Sequence, residues 1–345
     1  ALLINQLQPY LYKKLRLTKG AKNFLNYIVG PLLFLWLAWS IYQQIQNQSD
    51  LNQSWHTILL ALNGPNSWKI GLVVLLMLVN WGIEARKWQI QVKGIQLISF
   101  LNAFKAILAG QAMGFNTINR IGEPIARAAF LKDGNRVRGA VLSIVGSMAQ
   151  IIVTFGMGTI ALVYMRWNIL NGERQLEGLS IFWLDVLTYV IAMGIFLFSF
   201  AYFKLAGLIQ LLEKIPFVRK YQFFLEKLED FHWNELIRLL SLSLSRYLVF
   251  LVQYFLLLQV FNIHIFWLDA FSLVGVMFLV LGIIPTIALA ELGFRGKVSL
   301  LLLGLMTNNS VGIIATAAGI WLINLILPAI AGTLFILGVR IFRNK

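Results

Sequence analysis

The chain is 345 residues long, 59% hydrophobic and only 12% charged, whereas soluble domains carry roughly 25% charged residues. That excludes a soluble enzyme and sets the fold class as an all-α polytopic membrane protein, with room for about ten apolar elements of ~20 residues. The net charge of +15 is spread between apolar segments, so lipid headgroups and membrane orientation account for it better than nucleic acid does.

In chain order, residues 1–23 carry Lys13, Lys14, Arg16, Lys19 and Lys22 and no acid, the pattern of a basic amphipathic segment on a cytoplasmic surface. A first span over 24–43 is followed by an Asn/Gln/Ser-rich loop whose only charge is Asp50, placed outside. The second span, 68–83, is extended by an amphipathic stretch over 84–98 with Arg86, Lys87 and Lys93. Residues 99–131 are apolar at both ends and polar in the middle. Their Gly and Pro breaks predict a re-entrant, broken-helix hairpin rather than one continuous helix. Spans over 141–165 and 181–203 close the first half, 24–203. Residues 204–238, with six basic and five acidic side chains, read as a cytoplasmic amphipathic connector. The second half, 239–345, repeats the plan: a span over 239–261, a hairpin over 267–303 broken at Gly282–Pro285, and a final span over 311–339.

This layout has about six full spans and two hairpins. It puts 20 of the 29 basic residues on one side of the membrane and two, Arg166 and Arg174, on the other. That asymmetry predicts cytoplasmic N- and C-termini and makes the hairpins enter from opposite sides, as an inverted repeat requires.

The chemistry concentrates in two short stretches. Asn119-Arg120-Ile121-Gly122-Glu123-Pro124 places ionisable groups in an apolar context, and Arg127 lies seven residues after Arg120. Intramembrane charge persists where it faces a partner, water or a substrate. Gly122 and Pro124 are expected to break the helix, with Pro124 pushing Glu123 out of helical geometry. Freed N–H groups at a new helix start favour anions, and an arginine adds a planar fork of donors suited to phosphate. The alternative for the same residues is architectural, an Arg120–Glu123 ion pair locking the break. In the second stretch, Pro285 marks the break, Gly293 is its counterpart to Gly122, and Glu291, Arg295 and Lys297 carry the charge. Glu291 and Arg295 stand i,i+4, a pairing distance on a helix, and Lys297 has the length to snorkel to an interface. A cross-repeat arrangement, Arg120 with Glu291 and Glu123 with Arg295, would form a charge-balanced gate.

These two stretches, N119-R-I-G-E-P124 and I284-P-T…E291-L-G-F-R295, resemble the signatures of the transmembrane, flippase-like domain of bacterial lysylphosphatidylglycerol synthases. The resemblance covers nearly the whole chain in layout. It implies a free-standing flippase-like part without the soluble synthase domain, in a bacterial cytoplasmic membrane, with Arg120, Gly122, Glu123 and Arg295 along the lipid path. It does not imply lysyl transfer. Gly296 stands where family members often have a Glu directly after the second-motif arginine, which leaves the second acidic role without its usual residue.

The expected function is therefore movement of an anionic lipid, a phospholipid or an isoprenoid-phosphate-linked lipid, across the bilayer. Arg120, Arg127, Arg295, Lys297 and Asn119 would hold the headgroup, and Glu123 and Glu291 would act as charge partners or gate. Two other readings stand beside it: a membrane enzyme acting on a lipid-linked substrate, and a non-transporting scaffold or accessory subunit. No nucleophile–His–acid constellation or P-loop is present, so neither catalysis nor ATP coupling is expected. His56, His232 and His264 lack metal-ligand spacing and there is no cysteine, so no metal or cofactor is expected. Membrane lipids are the expected partners. A homo-oligomer or a partner enzyme is left open.

Overall fold

The computed structural model describes residues 59–60, 64–115, 117, 120–171, 180–212, 228–284 and 288–337. The expected basic segment 1–23, the first span 24–43, Asn119 and Pro285 lie outside the described residues, as does the side chain of Glu291.

Among the described residues the regular structure is entirely helical. Helix α1, Ser67–Val92, turns a polar stripe inward: Asn80, Glu84, Lys87 and Gln91 are buried, while Leu75, Leu78 and Val79 are exposed. That is the reverse of a soluble amphipathic helix, and it fits a segment whose outer surroundings are hydrocarbon. Helix α2, Phe100–Phe115, and the short α3, Gly122–Ala128, form a helix–turn–helix, with the Thr117 hydroxyl accepting the Gly122 N–H across the turn (2.9 Å). Helix α4, Arg136–Asn168, is followed by α5, Ile181–Phe203, and α6, Leu205–Leu212. In α5 only Leu184 and Tyr202 are buried, leaving a helix with apolar side chains facing outward nearly all round. Helix α7, Trp233–Val260, precedes the pair α8, Trp267–Ile283, and α9, Ala288–Leu303. The last span is α10, Ser310–Trp321, a π-turn over Leu322–Ile326, and α11, Leu327–Leu337.

Among the described residues five segments are long and apolar enough to cross a membrane: α1, α4 with its preceding 3-10 turn, α5, α7, and the α10–α11 run. Each coincides with an expected span. The two expected hairpins, 99–131 and 267–303, appear as the broken pairs α2/α3 and α8/α9. At 1.5 Å per residue, α2 and α8 are about 24–25 Å long, short of a ~30 Å hydrocarbon core.

Three differences from the sequence reading have physical reasons. Helix α1 runs on to Val92, so Glu84 and Lys87 belong to a buried stripe rather than to a surface extension. Gly293 does not break a helix; it sits inside α9 with open space around it. Pro124 sits in the first turn of α3 and Glu123 is helical, because first-turn positions need no N–H partner. The break lies just upstream, ending at Arg120, whose φ of 58° is left-handed.

Helices α1 and α7 run antiparallel in contact. Gln253 Nε2 donates to the Val73 carbonyl (2.8 Å), Arg246 Nε donates to Asn80 Oδ1 (2.7 Å), and Asn66 reaches the Gln259 carbonyl at the far end. Around this pair, α2 packs on α11 and α8 packs on α4. Short helix α3 rests on α4, and α9 rests on α10. Between the two broken pairs, Leu292 of α9 and Phe115 of α2 belong to one buried apolar cluster that includes Trp321 and Leu325 of the last span.

Candidate functional site

The site starts from two glycines that let α3 approach α2. A Cβ at Gly110 would lie 2.8 Å from Arg127 Cγ, and one at Gly114 would collide with Glu123 Cγ. Small residues four apart on one helix give this close approach. They hold Glu123 and Arg127 against α2 with their charged ends turned toward α1.

There the charges connect. Arg127 donates from Nη2 to Glu123 Oε2 (3.0 Å) and from Nη1 to Glu84 Oε1 (2.8 Å). The second Glu84 oxygen takes Lys87 Nζ at 3.3 Å and Arg246 Nη1 of α7. Lys87 also reaches the Gly146 carbonyl of α4 (3.4 Å). At the other end, Arg120 Nε lies 2.9 Å from Glu123 Oε1, and Arg120 Nη2 donates to Gln111 Oε1 (2.7 Å). Stacking adds to the hold: the Arg246 guanidinium lies 5.4 Å from the Trp81 ring centroid, a cation–π distance.

The resulting chain of contacts runs Arg120, Glu123, Arg127, Glu84, then Arg246 and Lys87. Four cations share two carboxylates, an excess of two formal positive charges. Arg246 stands fourteen residues from the Val260 end of α7, roughly 21 Å along the axis, well inside an apolar segment. Glu84, Lys87 and Arg127 are buried, whereas the Arg120 side chain is 43% exposed. The cluster is thus closed at the Glu84 end and open at the Arg120 end.

Sequence reasoning brought Arg120, Glu123 and Arg127 together with Gly122 and Pro124, and the structure does the same. The architectural Arg120–Glu123 pair is present, and the expected cross-repeat pair of Glu123 with Arg295 is not: both Glu123 oxygens face Arg120 and Arg127. Arg295 is buried and donates to the Tyr254 hydroxyl (2.8 Å). Tyr254 lies eight residues beyond Arg246 on α7, about 12 Å along the helix. Lys297 is exposed on α9. Of the N–H groups expected to be freed at the helix start, that of Gly122 is taken up by the Thr117 hydroxyl.

Sequence reasoning missed Glu84, Lys87, Arg246, Asn80 and Gln111. A signal for three of these was present. Asn80, Glu84, Lys87 and Gln91 recur at helical spacing on one stripe, and a polar stripe on an otherwise apolar helix faces the bundle interior. Arg246 joins the cluster across 162 residues, and Gln111 joins it across the turn between α2 and α3, nine residues from Arg120.

Fold and site together define an α-helical polytopic membrane protein that carries a net-positive ionic cluster within its apolar segments. No family model and no curated protein matches the chain.

Proposed function

We propose that this protein is a flippase-like or scramblase-like transporter that moves an anionic lipid across the bilayer. One observation carries the reading: the Arg120–Glu123–Arg127–Glu84 chain keeps two positive charges in excess inside apolar helices and leaves Arg120 exposed. Intramembrane charge of this kind is functional by default. An arginine fork is the side chain suited to a phosphate oxygen pair. The headgroup would exchange onto Arg120 while the acyl chains stay in lipid.

The inverted repeat belongs to this proposal. It draws support from the matched packing of α2 on α11 and α8 on α4, and of α3 on α4 and α9 on α10, about the antiparallel α1/α7 pair. The apolar cluster that Phe115 and Leu292 share with Trp321 supports a path between the two broken pairs, with Arg295 and Lys297 on its second side. The similarity to the lysylphosphatidylglycerol synthase transmembrane domain rests on the two motifs alone. Cytoplasmic termini and a bacterial cytoplasmic membrane form part of the same proposal.

A specific observation favours a second reading. Glu84 is saturated by three cations and buried, which is also what a lock in a non-transporting scaffold would look like. Transbilayer movement of headgroup-labelled lipids in proteoliposomes separates the two. Transport predicts faster movement of anionic than zwitterionic lipid, lost in Arg120→Ala and Glu123→Gln. A scaffold gives no acceleration from well-folded protein with any lipid.

A further inference from the structure

The electrostatic balance of the cluster says which anionic headgroup it suits, an inference that rests on the transport reading above. Its members are Arg120, Arg127, Lys87 and Arg246 around Glu84 and Glu123, with no further carboxylate paired to any of the four cations among the described residues. Within an apolar segment, uncompensated charge is expensive and draws a counter-charge of matching size.

Donors are in excess as well as charge. Gln111 and Asn80 are fully buried, and each gives its amide oxygen to an arginine, Arg120 and Arg246 respectively. Their amide nitrogens are left without partners, as are Arg127 Nε and the Trp81 indole N–H. A buried polar group without a partner costs roughly 1–3 kcal/mol, and here the orphaned atoms are predominantly donors. Against these four donors stands one acceptor, Glu123 Oε1, which makes no well-aligned hydrogen bond but lies 2.9 Å from Arg120 Nε, so an anion, which supplies acceptors alone, answers most of the orphaned atoms.

Backbone conformation points the same way. Arg120 holds a left-handed φ of 58°, uncommon for a non-glycine residue and of the kind that gathers at ligand clamps. Two of its guanidinium nitrogens are engaged, by Glu123 and Gln111, and the rest of the exposed group faces outward.

We infer that the Arg120 end of the cluster is a binding site for a dianionic phosphoryl group, a phosphomonoester in preference to a phosphodiester. A monoester carries about −1.5 to −2 charges at neutral pH and meets an excess of two positive charges. A diester carries one charge and leaves one uncompensated. Three oxygens on the monoester also offer more acceptors to Gln111 Nε2 and Arg127 Nε, the two orphaned donors beside Arg120 and Glu123. The chemistry is shared by a lipid headgroup and a free phosphate, and the two sources are separable by experiment.

The test compares dioleoyl phosphatidic acid with dioleoyl phosphatidylmethanol, which differs by one methyl ester and hence one charge, in competition for the detergent-solubilised full chain at pH 8. Binding is read by native mass spectrometry, with inorganic phosphate and glycerol phosphate as arms that lack the acyl chains. The expected result is a preference for the monoester lipid of on the order of tenfold, the ratio that about 1.4 kcal/mol supplies. In Arg120→Gln, which removes one positive charge at an exposed position, the preference falls to about twofold or less. Gln111→Glu, which adds a negative charge instead, does the same by a different route. Binding of the water-soluble phosphates with the same preference assigns the site to a free anion; binding of the lipid alone assigns it to a headgroup. Equal retention of both lipids by the wild type, or a preference unchanged in both variants, overturns the inference. Failure of the transport reading looks different: the monoester lipid is still preferred, but no lipid crosses the bilayer.

Discussion

Replacing Glu84 by Gln keeps the shape of the side chain and removes the charge that three cations share. In the wild type its two oxygens hold Arg127 at 2.8 Å, Lys87 at 3.3 Å and Arg246. Breaking a buried ion pair by removing one partner costs about 3–5 kcal/mol, because the other charge stays buried and unpaired. Here three cations lose a carboxylate and only Arg127 retains another, in Glu123, while Lys87 and Arg246 keep just the neutral acceptors Gly146 O and Asn80 Oδ1, which places the expected loss at the upper end of that range. Arg246→Leu should cost less, since Glu84 keeps Arg127 and Lys87 and the cluster's excess charge falls by one. In the double variant the two losses should partly cancel, giving a coupling of at least about 1.5 kcal/mol, as expected for residues in one buried network. Denaturant unfolding in mild detergent, followed by the fluorescence of the chain's 11 tryptophans, measures all three. A Glu84→Gln loss below about 1 kcal/mol, with additive singles, would refute the reasoning: the cluster would be a hydrated channel wall, not a dry ionic lock.

Gly114→Ala should destabilise by about 1–3 kcal/mol through overpacking, because its methyl would displace Glu123. Gly156→Ala, where nothing lies within 4 Å of the added methyl, should be neutral or stabilising by up to ~1 kcal/mol; paired thermal melts in detergent check both. Tyr254→Phe removes the hydroxyl that accepts from Arg295 and should cost about 1–3 kcal/mol, read by the same denaturant series. Arg120→Ala breaks the contact with Glu123 but at a half-exposed side chain, so stability should change by no more than about 1 kcal/mol while lipid movement is lost. A melt and a translocation assay on one preparation separate the two.

The sequence made the spans and both breaks readable because hydrocarbon imposes a strong rule: long apolar runs must be helical, and Gly, Pro and charge inside them mark interruptions. Arg120, Glu123 and Arg127 were readable for the same reason, lying within nine residues of an otherwise apolar stretch. Glu84 was readable only as part of the stripe Asn80, Glu84, Lys87 and Gln91, and Arg246 was not, since its bond to Glu84 spans 162 residues and alone it reads as an interfacial charge. Arg295 misled in the opposite direction. Symmetry of the motifs suggested Glu123 as its partner, but its hydroxyl neighbour Tyr254 comes from α7, and no motif on α9 announces that.

The π-turn at Leu322–Ile326 divides the last span into two stretches with different attachments. Above it, Gly319 packs on Leu257 of α7; below it, Gly332 lies directly on the Leu108 carbonyl of α2. A π-turn takes up one extra residue, and one residue of α-helix is a rotation of 100°. The span therefore joins the second half of the molecule to the first broken pair with its two ends keyed about 100° out of the register an unbroken α-helix would give. Removing a single residue from the turn would leave each end's local fit intact and set the keys out of phase. Any motion that winds or unwinds that one turn would rotate α2, and the Gln111–Arg120 contact with it, relative to α7.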